Sequence, residues 1–229
     1  IRPNAMTRYQ GRVDRHIKPY LGDKPISQVK GKDIQRLYET LAKRGNRNTG
    51  EGLSSGSVRG IHSMLHEALG AAQQASIIPR NPTEEIEAPK FTYKPKKVLT
   101  DKQLDKFMET VRQDAVWYDF FYTELTTGLR RGEICGLQWT DFNEADGSLK
   151  IIILPPSTVE LLRERKKSAL TEWIFPNPLK PEQPTRPSAA YERTKVILKR
   201  AGLPDLRFHD LRHTFATHAL ASGVDVKTL

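Results

Sequence analysis

The sequence predicts a mainly α-helical protein of two domains, the second of which carries a small β-sheet. Three observations support this fold class. Apolar residues recur at the helical spacing i, i+3, i+4 and i+7 in several segments of the chain. Residues 84–99 lack that period, contain two prolines and alternate in charge, which is typical of an extended linker. The length of 229 residues suits one or two domains of ordinary size.

The first domain, residues 1–83, is expected to be a small helical bundle. A helix over residues 4–17 should end before Pro19, because proline interrupts most helices. A second helix should end at Gly45, and a polar, glycine-rich loop at residues 46–56 leads to a third helix that ends near Pro79. The apolar stripes that would pack together are Ile34, Leu37, Tyr38 and Leu41 in the second helix, and Val58, Ile61, Leu65, Leu69 and Ala72 in the third.

The second domain is expected to span residues 100–229, after the linker at residues 84–99, whose basic stretch covers residues 94–97. Two capping boxes, each a hydroxyl residue followed three positions later by Gln or Glu, mark helix starts. The predicted elements are, in order, a helix capped by Thr100 and Gln103, an apolar helix around residues 116–121, a break at Thr127–Gly128, a helix from Arg131 towards Trp139, one strand over residues 149–154, a helix capped by Ser157 and Glu160, a helix over residues 188–200, and a last helix from about His209.

The charge of the chain is unevenly distributed. The protein has 37 Lys+Arg against 27 Asp+Glu, a net charge of +10 and a pI near 9.7. Residues 1–83 hold 14 basic and 6 acidic residues, a balance of +8, whereas the remainder holds 23 and 21, a balance of +2. A basic surface favours polyanionic partners, above all nucleic acid, and the first domain should attract phosphate most strongly. The alternative is a merely solvated basic face.

The rest of the composition excludes several classes of protein. A single cysteine, Cys135, rules out an intramolecular disulfide and a cysteine-rich zinc site, and a buried inert thiol is its simplest interpretation. No apolar stretch reaches the length of a membrane-spanning helix, and no secretory segment opens the chain. We therefore expect a soluble intracellular protein with no membrane partner.

Two segments contain the residues with the clearest chemistry. The first, TGLRRGEICGLQWTD, begins at Thr127, and the second, HDLRHTFAT, begins at His209. His209 and Arg212 are three residues apart and share one face of a helix. A guanidinium can hold two oxygens of a phosphate while an imidazole donates or accepts a proton. Arg130 lies at a glycine-led helix start, where backbone N–H groups also favour an anion.

A metal site is the main alternative for the second segment. His209 and His213 have the i, i+4 spacing of a zinc-binding helix, but Asp210 stands where a metalloprotease would carry its glutamate, and no third ligand is evident. We therefore predict no metal and no cofactor. His213 is expected to orient its neighbours or pack, and His218 to be structural.

The two segments, in this order and after a basic bundle, resemble the two signature boxes of the tyrosine recombinase (phage integrase) family. The resemblance covers most of the chain. It implies a two-domain DNA clamp, in which residues 1–83 form the SAM-like core-binding domain and residues 100–229 the catalytic domain. It also implies a site-specific recombinase that cleaves and rejoins DNA through a 3′-phosphotyrosyl intermediate without a metal.

The resemblance assigns roles to four residues. Arg130 matches the first catalytic arginine, Arg212 the second, and His209 the catalytic histidine, while Glu133 matches an acidic position that supports the first arginine. Glu133 pairing with any nearby cation is the simpler alternative. The family further implies double-stranded DNA as partner, a homotetramer on DNA, a cytoplasmic location in a bacterial cell or phage-infected host, and an accessory DNA-bending or excision protein as a further candidate partner.

Two parts of the family pattern are absent from this sequence. The nucleophilic tyrosine should follow the second box, yet the last of the seven tyrosines is Tyr191. A β-hairpin that carries a catalytic lysine should precede Pro155, and Lys150 lies before the expected hairpin, so we assign it no role. We expect the native protein to continue past Leu229 and to contain a hairpin lysine, with a junction hidden in residues 151–153.

Two other functions remain open at this point. A catalytically silent DNA-binding regulator derived from a recombinase would share the basic bundle and both boxes, and the presence of the downstream tyrosine would distinguish the enzyme from it. A metal-dependent hydrolase is the more distant alternative, which elemental analysis for zinc would test.

Overall fold

The computed structural model describes residues 3–93, 95–150 and 152–222, with side chains from residue 5 onward. The chain divides into two compact units, one up to residue 94 and one from residue 95, and each is described by itself. The prediction of a mainly α-helical chain with a small β-sheet is confirmed. The domain limits at residues 83 and 100 stay a prediction.

The first unit is a bundle whose core lies between two helices. The two predicted apolar stripes are buried against each other, together with Ile78. Ser54 begins the third long helix, because its hydroxyl accepts a hydrogen bond of 3.2 Å from the Ser57 N–H. The helices are α1 (Pro3–Arg12), a π-helical turn (Val13–Ile17), α2 (Lys18–Leu21), α3 (Gly31–Arg44) and α4 (Ser55–Gln74), with 3-10 turns at Ile26–Gln28 and Pro82–Glu85.

The first helix corrects the sequence prediction. Helical structure does not end before Pro19 but continues through the π-turn into α2, where Pro19 lies in the first turn. Proline is common in the first turn of a helix, where its fixed φ suits the helical conformation. Glu84 and Glu85, the first two residues of the predicted linker, belong to the 3-10 turn that Asn81 caps. Lys94, in the predicted basic stretch, lies outside the described residues.

The second unit is built around an aromatic core. Phe107, Phe120, Phe121 and Phe208 are all buried, and the rings of Phe107 and Phe121 meet edge to face at 5.7 Å. Its helices are α5 (Asp101–Arg112), α6 (Tyr118–Thr127), α7 (Arg131–Cys135), α8 (Pro156–Lys167), α9 (Pro187–Arg200) and α10 (Phe208–Ala221), with a 3-10 turn at Trp139–Asp141. Among the described residues, no helix has the length and apolar content needed to cross a bilayer.

One predicted helix cap is confirmed and one is wrong. The Thr100 hydroxyl accepts from the Gln103 N–H at 3.4 Å, and the Gln103 side chain accepts from the Thr100 N–H at 3.1 Å. The predicted box of Ser157 and Glu160 does not cap α8, because that helix begins at Pro156, two residues before the start at Thr158 that the box predicts. Proline at the first helical position fixes φ in the helical range and sets the start there.

The small sheet also departs from the prediction. Residues 149–154 were predicted as one strand, whereas the chain reverses between two short strands, with Leu149 paired to Ile152. Lys150 occupies the turn with φ of 57°. The strands are β1 (Phe142–Asn143), β2 (Ser148–Leu149) and β3 (Ile152–Ile153) in one antiparallel sheet, and β4 (Pro176–Asn177) and β5 (Lys180–Pro184) in a separate hairpin that the sequence did not predict.

Candidate active site

The turn between α6 and α7 is fixed by Gly128. This residue ends α6 in the left-handed conformation, with φ of 58°, and its N–H donates to the Glu124 carbonyl at 2.8 Å. A Cβ at this position would lie 2.2 Å from Cδ1 of Phe215, so glycine is required by conformation and by space. The predicted break at Thr127–Gly128 is confirmed, but α7 ends at Cys135 and does not continue towards Trp139.

Arg130 follows this turn and is held by Glu133. One carboxylate oxygen of Glu133 accepts from the Arg130 backbone N–H at 2.8 Å, and the other accepts from Nη1 of the same residue at 2.9 Å. Partial burial acts to raise the pKa of Glu133, but the hydrogen bonds from Arg130 and the charges of Arg130 and Arg212 outweigh it, so the pKa lies below its usual value. Glu133 is therefore ionised, and the Arg130 side chain extends into solvent with 66% of its surface exposed.

Arg212 brings the second sequence segment to the same turn. It lies on α10, and its Nη1 donates a short hydrogen bond to the Gly128 carbonyl, 84 residues earlier in the chain. Arg130 is only two residues from that carbonyl. The structure thus joins Arg130, Glu133 and Arg212 around one glycine turn, although they come from segments far apart in sequence.

His209 lies one helical turn before Arg212 on α10. Its ring meets the His213 ring edge to face, with centroids 4.9 Å apart. Partial desolvation, followed by the charges of His213 and Arg212, lowers the pKa of His209. The imidazole is therefore largely neutral near pH 7. Within the described part of the chain it forms no hydrogen bond with either arginine.

Asp210 serves the helix and is not free to act as a base. The side chain is buried and accepts three hydrogen bonds of 2.8–3.1 Å from the backbone and guanidinium of Arg207. Burial acts to raise the pKa of Asp210, but the bonds from Arg207 lower it below its usual value. In the described residues, no group of three His, Cys, Asp or Glu side chains is arranged to hold a metal ion.

The start of α5 holds α10 in place. The Leu99 N–H donates to the Thr214 hydroxyl at 3.1 Å, and Nε2 of His218 lies 3.0 Å from the Leu99 carbonyl. His218 also pairs with Asp101 at 3.0 Å. These contacts fix the helix that carries His209 and Arg212.

Glu124 is the residue of this region that sequence reasoning missed. Its side chain is completely buried on α6, and neither carboxylate oxygen has a hydrogen-bond partner among the described residues. Burial raises the pKa of Glu124 well above its usual value; the charge of Arg212 opposes this and that of Glu133 adds to it. The sequence did contain one signal of this burial, because Glu124 falls on the apolar face of α6 that begins with Phe120 and Phe121.

Lys150 and Cys135 also lie in this unit, the first in a hairpin turn and the second buried on α7. The prediction that Lys150 precedes the hairpin is wrong, because it occupies the turn between β2 and β3. Its N–H donates to the Asp141 carbonyl at 2.7 Å, and its Nζ lies 3.6 Å from the Asp141 carboxylate.

Two residues named in the sequence predictions lie outside the described residues. They are Ile151, in the suspected junction, and Leu229, past which we expected the chain to continue. Burial raises the pKa of Cys135 to about 12, so its thiol stays protonated and unreactive.

Comparison with known proteins assigns the class. The profile of the phage integrase family matches residues 97–229, and that of the phage integrase N-terminal SAM-like domain matches residues 1–42. The ICEBs1 integrase of Bacillus subtilis is 24% identical over 267 aligned residues, covering 100% of this chain and 69% of the relative. A XerC-like tyrosine recombinase of Caldanaerobacter subterraneus is 24% identical over 289 aligned residues, covering 100% of this chain and 70% of the relative.

Solved structures show the same fold. The Tn1549 transposon integrase in complex with circular intermediate DNA superposes with a TM-score of 0.83 at 19% identity, covering 99% of this chain and 84% of that one. A lambda integrase tetramer bound to a Holliday junction gives a TM-score of 0.81 at 19% identity, covering 100% of this chain and 70% of that one. The chain belongs to the phage integrase family of tyrosine recombinases, as its two signature segments predicted.

Proposed function

We propose that this chain forms the core-binding and catalytic domains of a site-specific DNA recombinase that cleaves and rejoins DNA without a metal. The observation that carries the proposal is the meeting of Arg130, Glu133 and Arg212 at the Gly128 turn. Two guanidinium groups near one point form a site for the non-bridging oxygens of a phosphodiester.

The proposed reaction is a transesterification at a backbone phosphate. A tyrosine hydroxyl from outside this sequence attacks the phosphorus, a 3′-phosphotyrosyl bond forms as the bond from phosphorus to the 5′-oxygen breaks, and the 5′-oxygen takes a proton from solvent and leaves as a hydroxyl. Negative charge grows on the non-bridging oxygens, where Arg130 and Arg212 stabilise it, while Glu133 keeps Arg130 in position. His209, being largely neutral, is able to accept the proton of the attacking hydroxyl. A 5′-hydroxyl of a partner strand then reverses the attack, so the phosphodiester bond is conserved.

The proposed partner is double-stranded DNA, bound by a homotetramer in the cytoplasm, with an accessory DNA-bending or excision protein as a further candidate. The charge balance of +8 in residues 1–83 supports DNA as the partner. The lambda integrase of similar fold was solved as a tetramer bound to a Holliday junction, which supports the proposed homotetramer.

Replacing either arginine tests the proposal. Arg130→Ala and Arg212→Ala should each lower the strand-cleavage rate by about 10²–10³-fold, the usual effect of removing one donor to a transition-state oxyanion. DNA affinity, measured by fluorescence anisotropy, should stay within about threefold, since each variant loses at most one of many phosphate contacts. Arg131→Ala, at the exposed neighbouring position, is the matched control and should keep its cleavage rate. Wild-type cleavage rates in both variants would refute the assigned roles.

A further inference from the structure

Two histidines on α4 belong to a polar network that has no role in the chemistry described above. His62 and His66 are four residues apart on this helix, and their rings are stacked with centroids 6.0 Å apart. The Tyr38 ring of α3 meets the His62 ring edge to face at 5.7 Å. The network therefore joins the two helices whose apolar stripes form the core of the first unit.

The hydrogen bonds of His66 define which of its nitrogens carries a proton. The Thr83 hydroxyl donates to Oδ1 of Asn81 at 2.7 Å, so its oxygen is left to accept. Nδ1 of His66 lies 2.8 Å from that oxygen and therefore carries the proton. A second proton, on Nε2, would leave this bond intact. His66 is thus able to become charged without losing its contact with the 3-10 turn.

The hydrogen bond between Tyr38 and His62 behaves in the opposite way. The Tyr38 hydroxyl lies 3.0 Å from Nδ1 of His62, and the phenol is buried, which raises its pKa and keeps it protonated. In the described residues the phenolic proton has no other acceptor, so it is donated to Nδ1, and neutral His62 carries its own proton on Nε2. A proton on Nδ1 would reverse this bond and leave the phenolic proton without its acceptor.

The surroundings of His62 also disfavour a positive charge. Partial burial, followed by the charges of His66 and Arg59, lowers the pKa of His62, and no acid is among the charges that act on it. From α3 it faces the uncharged Tyr38 hydroxyl. Because the pKa is lower in the folded protein than the usual 6.5, the stability that neutral His62 contributes is fully present above pH 6.5. It is lost as the pH falls through 6.5 towards the folded-state pKa.

We propose that the Tyr38–His62 hydrogen bond is an acid-sensitive contact between α3 and α4, which breaks when His62 takes up a proton and then loosens the first unit. His66 adds to the effect, because a charge on its ring disfavours a second charge on the stacked ring of His62. The inference is independent of the proposed function, since it concerns the stability of the first unit and involves no DNA.

The test measures hydrogen exchange of the α3 and α4 amides in the full native protein at several pH values between about 5 and 7.5, with each rate corrected for its intrinsic pH dependence. Tyr38→Phe should lower the protection factors at pH 7.5 by roughly three- to tenfold, the usual net contribution of one hydrogen bond. The loss should shrink towards pH 5, where protonation of His62 removes the bond from the wild type as well. Tyr20→Phe, the same change at an exposed position of this unit, should match the wild type throughout.

A second variant removes the titrating group and keeps an acceptor. His62→Asn is neutral at every pH, so its protection factors should fall less steeply with falling pH than those of the wild type. His16, another histidine of this unit with a lowered pKa, remains and accounts for the slope that is left. An equal loss in Tyr38→Phe at pH 5 and 7.5, or a slope in His62→Asn as steep as that of the wild type, overturns the proposal.

Titration of the histidine ring signals by NMR keeps the test valid if His62→Asn does not fold. The wild-type protein should show a histidine whose pKa lies below 6.5 and rises in Tyr38→Phe, because that variant no longer stabilises the neutral ring. The proposal is wrong if no histidine behaves in this way.

Discussion

Glu133 holds Arg130 in two ways at once. One carboxylate oxygen fixes the backbone at the start of α7, and the other fixes the guanidinium. A carboxylate that forms only the second contact would leave the arginine on a less ordered backbone. The side chain is thus ordered without a ligand, and in the proposed reaction this order reduces the cost of positioning it in the transition state.

Glu124 is a second residue whose environment has a measurable consequence. Because its pKa is raised in the folded protein, the protonated form is favoured by folding. The stability that this carboxyl group contributes is fully present below pH 4.5, the usual pKa of a glutamate. It is lost as the pH rises towards the pKa that Glu124 has in the folded protein. Each unit of difference in pKa corresponds to about 1.4 kcal/mol.

Glu124→Gln should therefore remove part of the pH dependence of stability. Near pH 4.5 the variant and the wild-type protein should have similar free energies of unfolding, and as the pH rises towards 8 the variant should become the more stable of the two. Urea unfolding at three pH values measures the difference. Glu160→Gln, an exposed position with the same change of charge, should follow the wild type. Parallel curves for Glu124→Gln and the wild type would contradict this account of the buried carboxyl.

The α6–α7 turn is the element on which the candidate site depends. Its glycine ends one helix, receives the Phe215 ring and offers the carbonyl that anchors Arg212. Two residues later the same segment places Arg130. Small changes in this turn should therefore affect both arginines together.

Gly128→Ala should be much more harmful than Gly132→Ala. The left-handed conformation costs a residue with a Cβ about 1–2 kcal/mol, and the clash with Phe215 adds to that cost. Gly132 lies in α7 with open space around it, so alanine there should be neutral or stabilise by up to about 1 kcal/mol. Thermal unfolding and strand cleavage measure both variants. Equal stability of the two would show that the turn does not require glycine.

At the scale of the whole molecule, charge and chemistry occupy different parts of the chain. The balance of +8 lies in residues 1–83, whereas both arginines proposed for phosphoryl chemistry lie in the nearly neutral remainder. Salt should accordingly weaken DNA binding strongly, while the cleavage rate of fully bound protein should depend little on salt.

The sequence predicted what depends on local pattern. The two apolar stripes of α3 and α4, the Thr100 cap and the break at Gly128 follow from spacing and residue type, and the two signature segments identified the family. Glu124 was missed because its burial depends on helices far away in the chain. The hairpin at Lys150 was missed because consecutive isoleucines are typical of a single strand and no glycine marks the turn. The continuation of α1 past Pro19 depends on a π-turn that has no clear sequence signal.

The most direct test of the recombinase proposal is a search for the covalent intermediate. The full native protein, in the presence of EDTA, is incubated with a nicked duplex that carries its recombination site, and the DNA-linked peptide is mapped by mass spectrometry. We expect a 3′-phosphotyrosyl adduct that forms without metal and is lost in Arg130→Ala and Arg212→Ala. Binding without an adduct, or cleavage that EDTA abolishes, would contradict the proposed chemistry.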